Sequence, residues 1–143
     1  MLFLIAILIF GYPKPGEMNS ACRVGVVSAF GGPVTWLKVP GDPRDNYIAW
    51  MDWAPNSKEV VLQHLNRLQN MNELMAGDPA MGEFRTLFTD RDETWVEVAD
   101  GFRWLHSGRD FLWEGERDGW KHIYRVRPPS SIADLNQKAG TYA

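Results

Sequence analysis

The sequence predicts an all-β fold, a repeated unit of four short antiparallel strands, and three observations carry that prediction. The first is internal similarity at a spacing of about fifty residues. Residues 52–62 lie over 103–113, which sets Trp53 on Trp104 and Lys58-Glu59 on Arg109-Asp110, with an apolar run after each. Residues 32–37 lie over 82–87 in the same way, a turn followed by an alternating run. The second is that the runs are short, rich in β-branched or aromatic residues, and bounded by turn residues. The third is the lack of sustained helical periodicity, with 133–139 a weak exception. Repeats of this length with four strands each are the pattern of β-propeller blades. The expected architecture is a partial β-propeller of about two four-stranded antiparallel blades.

Taken in order, 47–53 reads as a strand ending at the Pro55-Asn56-Ser57 turn, and 59–65 as a continuous buried run. The chain returns through a loop at 67–70 into 72–76, and Asp78-Pro79 with Gly82 turns it into 84–88. The second unit repeats this plan: 102–105, a Ser107-Gly108 turn, 110–114, an Asp118-Gly119 turn, then 122–126. Glycine suits the ends of such tight turns because it accepts positive φ without strain. The sequence thus gives one nearly complete unit over 47–88, flanked by partial ones.

The ends read differently. Residues 1–10 are apolar without exception, but at 1.5 Å per residue they span only about 15 Å of helix, half a bilayer core. No Lys or Arg precedes them and no Ala-x-Ala site follows closely. Asn19-Ser20-Ala21-Cys22 resembles a lipoprotein cleavage site, yet Asn19 stands where an aliphatic residue is wanted. The expectation for 1–10 is a buried strand or a start foreign to the domain, with a signal-like role as the alternative. Residues 127–143 open with Arg127-Pro128-Pro129-Ser130-Ser131 and read as a polar, disordered tail.

Composition bounds the function. A chain of 143 residues with 45% hydrophobic content and seven Trp is a folded domain rather than a disordered one. A net charge of −3 offers no basic footprint for nucleic acid. Cys22 is the single cysteine, which excludes an internal disulfide framework and a multi-cysteine metal site while leaving the compartment open.

Four motifs in order resemble the dipeptidyl-peptidase IV branch of the prolyl oligopeptidase serine peptidases. They are Tyr12-Pro13-Lys14-Pro15-Gly16-Glu17-Met18-Asn19, running on through 23–27; Asp52-Trp53-Ala54-Pro55; 65–70 with Arg67-Leu68-Gln69-Asn70; and 111–124, the most specific, ending Asp118-Gly119-Trp120-Lys121-His122-Ile123-Tyr124. Within the last, Gly115 replaces the family's small hydroxyl residue. The resemblance covers 11–126 and implies an N-terminal propeller that in its relatives caps a C-terminal α/β-hydrolase domain. It also implies a parent enzyme that releases dipeptides from peptide amino termini.

The chemistry of such a parent is not carried by these residues. The nucleophile elbow, Gly-x-Ser-x-Gly, is absent, and His106-Ser107-Gly108 occupies a hairpin turn instead. The family's amine-gripping glutamate pair, by the resemblance, precedes the Tyr-Pro-Lys stretch and is expected upstream of this chain. Glu114 and Glu116 stand two apart on one expected strand and so face one side, unlike glycosidase carboxylates that flank a bond. His64, His106 and His122 are dispersed and make no zinc set. Trp53, Trp104, Trp113 and Trp120 are expected between units as core, and the loop 94–101 at a unit's edge, facing a substrate chamber. We therefore expect no catalytic, substrate-binding or metal residues, no cofactor, no nucleic acid, and peptide substrate only in the intact parent. The expected role is scaffold and substrate gating, the chain being inactive alone; the alternatives are a stand-alone interaction module or a solute-binding or sugar-active propeller.

Overall fold

The computed structural model describes Lys14 and residues 16–128. The expectations for 1–10 and for the tail beyond Pro128 lie outside the described residues. Among the described residues, nine strands form three antiparallel sheets, and the helical content is one 3-10 turn at His106–Gly108. Strands β1 (Val24–Val26) and β2 (Thr35–Leu37) form the first sheet. Strands β3 (Asn46–Trp53), β4 (Val60–Asn66), β5 (Met71–Asp78) and β6 (Glu83–Arg91) meander in order as the second. Strands β7 (Arg103–Leu105), β8 (Asp110–Gly115) and β9 (His122–Val126) form the third.

The fold is all-β and antiparallel, in keeping with a partial propeller. One sheet has the four strands expected. The other expected four-stranded unit, the third sheet, has three among the described residues, and the first sheet has two.

The middle sheet is covered on both faces, which is why β4 reads as unbroken burial from Val60 to Leu65 rather than as alternation. One face sends Val60, Leu62 and Met75 against Val24, Val26 and Leu37 of the first sheet. The other sends Val61, Leu74, Ala76, Leu87 and Phe88 against Phe102, Phe111, Trp113 and Val126 of the third. Each fully buried Val or Leu stabilises by about 1.5–3 kcal/mol, so these two seams hold the sheets together.

Residues 51 positions apart take matching places. Phe111, Trp113 and Val126 face the sheet before them as Val60, Leu62 and Met75 face theirs. The turns match too: Ser57 has φ 54 and Gly108 has φ 94, both in the left-handed region. Gly108 packs on Pro55, so the second turn sits against the first. Gly77 answers a different need, since it lies across the ladder from Phe84. A Cβ there would meet the Phe84 ring at 2.5 Å.

Candidate functional site

The seam between the second and third sheets opens at one end into a cleft of about 190 Å³. One wall is the end of β6, Asp90 and Arg91, with the strap that follows it, 92–98. The other wall is the β8 terminus and its turn, Glu114 to Arg117, with Lys121. Of the expected edge loop 94–101, residues 94–98 line this concave surface, with Trp95 half exposed upon it.

At the floor sits Asp90, 6% exposed. Its Oδ2 accepts the indole Nε1–H of Trp113 at 2.7 Å, and its Oδ1 accepts Nη2–H of Arg117 at 2.8 Å. A buried carboxylate without such donors would be strongly unfavourable. The Arg117 guanidinium also lies over the rings of Phe88 and Tyr124, 4.9 and 5.0 Å from their centroids. Tyr124 donates its hydroxyl to Asp118 Oδ2 at 2.8 Å, and loss of solvation followed by that bond raises its phenol above the ordinary value. One carboxylate from the second sheet therefore gathers β8, its turn and, through ring stacking, β9.

The rim is polar and largely self-paired. Glu114 meets Lys121 at 3.5 Å. Asp92 accepts the Thr94 hydroxyl at 2.6 Å and the Thr94 amide at 2.8 Å. These bonds hold its carboxyl below the usual range. Glu97 and Glu116 stand exposed. The walls are thus built from groups committed to holding shape, and the arrangement presents a polar recognition surface with one aromatic face.

The three histidines singled out by sequence are not brought together. His106 lies on the 3-10 turn, Nδ1 3.5 Å from Asp110 Oδ2. His64 is buried on β4, Nδ1 3.4 Å from Glu73 of β5. His122 starts β9, exposed, its ring edge-on to Tyr124. Among the described residues no three His, Cys, Asp or Glu side chains are grouped to hold a metal ion. Glu114 and Glu116 do not share a strand, because β8 ends at Gly115 and Glu116 lies in the turn beyond. Trp53 and Trp104 pack against the core clusters and Trp113 is fully buried, as expected. Trp120 corrects the fourth expectation: it is 77% exposed.

Sequence reasoning missed Asp90, Gln63 and Asp110. Gln63 had a signal, a lone amide inside Val60-Val61-Leu62-Gln63-His64-Leu65. Asp110 is fully buried and accepts from both Arg125 and Arg127. The hydrogen bond from Arg127 first, and that from Arg125 next, hold its carboxyl far below the usual range. Its alignment with Glu59 was the clue, since Glu59 pairs with Arg85 and is likewise lowered by it.

Comparison with known proteins adds scale. The family model of the dipeptidyl peptidase IV (DPP IV) N-terminal region matches residues 8–139. Inactive dipeptidyl peptidase 10 of Rattus norvegicus and that of Mus musculus are each 30% identical over 90 residues, 61% of this chain. A Bacteroides ovatus ATCC 8483 structure assigned as a dipeptidyl aminopeptidase IV matches 81% of the chain at 29% identity, TM-score 0.71. Porphyromonas gingivalis dipeptidyl peptidase 4 matches the same share at 26% identity, TM-score 0.70. The chain spans 11% of the two rodent proteins and 16% of the two bacterial ones.

Proposed function

This chain belongs to the dipeptidyl peptidase IV N-terminal region family, and from that premise we propose that it is part of the propeller of a dipeptidyl-peptidase IV-like serine peptidase. Its contribution is scaffold and substrate gating, and the release of dipeptides from peptide amino termini belongs to the whole enzyme. The observation that carries the reading is the stacking of three sheets face to face, with residues 51 apart facing the same way around the stack. That is how neighbouring blades of a repeat architecture bury their faces. The cleft lies on the seam between two such blades, where its walls can limit what reaches a neighbouring chamber. The absence of a Gly-x-Ser-x-Gly elbow from these 143 residues supports a role without catalysis for this chain.

The test is hydrolysis of Gly-Pro and Ala-Pro chromogenic dipeptides by the purified 143-residue chain. The expected rate equals the buffer blank. Turnover that survives repurification and scales with chain concentration would overturn the scaffold role.

A further inference from the structure

The Gln63 side chain of β4 reaches across to the strap and hydrogen-bonds it. It is fully buried in the middle of an apolar strand, a place where a carboxamide is unfavourable unless its donors and acceptor are all used. Three hydrogen bonds serve it, in an unusual arrangement. Nε2 donates to the carbonyl of Ala99 at 3.0 Å, and Oε1 accepts the amide N–H of the same Ala99, also at 3.0 Å. Oε1 further accepts Nδ2–H of Asn72, itself fully buried on β5, at 2.8 Å. The side chain thus bonds one residue's N–H and C=O together, as a neighbouring strand would.

The strap's other anchors come from the same hairpin. The Asp92 amide donates to the Asn70 carbonyl at 3.2 Å, and the Val96 amide to the Gln69 carbonyl at 2.8 Å. All three ties run to β4, β5 or their turn, which makes the strap a part of the second sheet up to Ala99, after which the chain enters the third. Between the Val96 and Ala99 ties lie Glu97 and Val98, with Trp95 just before them; all three line the cleft.

We propose that Gln63 is a positioning residue for the cleft. Its carboxamide fixes Ala99 as a strand partner would, and so holds the strap open as a pre-formed wall. The inference needs only the cleft's geometry and stands independently of which substrate the parent takes.

The test is site-resolved amide exchange on the full chain, reported as protection relative to the same amide in the parent at each pH. Gln63→Leu fills the space without hydrogen bonds; the Ala99 amide, which Gln63 Oε1 accepts, should exchange at least tenfold faster, while Val61, Leu62 and Leu74 keep their protection. Gln63→Glu provides a sharper arm, because a protonated carboxyl resembles the amide in shape and supplies the one donor and the acceptor that the two Ala99 bonds use. In that variant the strap should be protected at low pH and released as the introduced carboxyl ionises, a profile the parent lacks. Unchanged Ala99 exchange in Gln63→Leu would overturn the proposal. So would a loss of protection in Gln63→Glu that runs equally through β4 and the strap at every pH, since that is the mark of a residue needed only for folding.

Discussion

Trp113→Phe tests the Asp90 clamp directly. The phenyl ring keeps the buried position and the edge contact with Phe88, now 5.1 Å between centroids, but removes the indole N–H that Asp90 Oδ2 accepts at 2.7 Å. Arg117 still serves Oδ1, so one oxygen of a 6%-exposed carboxylate loses its donor. Leaving a buried acceptor unsatisfied costs about 1–3 kcal/mol. The lost volume, about 40 Å³, adds about 1 kcal/mol at roughly 24 cal/mol per Å³ of cavity. The expected destabilisation is about 2–4 kcal/mol, read from urea unfolding by far-UV circular dichroism so that the change in tryptophan content does not enter the signal. The slope should stay constant while the midpoint falls. Asp90→Ala supplies the second side of a double-mutant cycle, with an expected coupling of about 1 kcal/mol or more. Strict additivity of the two changes would refute the clamp, because groups that share no interaction add.

Two further changes probe other parts of the stack. Gly77→Ala places a Cβ 2.5 Å from the Phe84 ring and should cost about 1–3 kcal/mol as overpacking; a thermal melt unchanged from the parent would mean the ring moves aside freely. Acid should weaken the third sheet through Asp110, whose carboxyl Arg127 and Arg125 hold far below its unfolded value. A depressed carboxyl contributes stability that is complete above the unfolded pKa of about 3.9 and fades as pH falls toward the folded value. Stability measured from pH 6 to 2 should therefore decline across the acid range, and the decline should shrink in a chain carrying Arg125→Gln and Arg127→Gln. An equal decline in that variant would remove Asp110 from the account.

Much of the fold was legible because strands buried on two faces leave a dense signal. The 122–126 strand was read with its observed bounds, and 59–65 differs from β4 by one residue at each end. Both are set by turns whose chemistry is local, at Gly119 and at Ser57. The cleft was less legible because its parts come from separate places in the chain. Asp90 and Arg117 are 27 positions apart, and Gln63 and Ala99 are 36 apart. Neither pair has a pattern that spacing alone exposes. Arg117 carried no signal for the same reason, its partner Asp90 lying on another sheet.

Trp120 was misread for a different reason, since the alignment at 51 residues itself held the right answer. Shared aromatic identity suggested that four tryptophans were equivalent, but the alignment that sets Trp53 on Trp104 sets Trp120 on Gln69 and Gly119 on Leu68. Gln69 lies in the β4–β5 turn with φ 55, and Leu68 beside it is 72% exposed. Position in the repeat therefore puts Trp120 at the matching β8–β9 turn, outside both seams. A residue's place in the ladder decides its burial here, and its hydrophobicity does not. Trp113 obeys the same rule from the other side: it aligns with Leu62, and both are fully buried against the preceding sheet.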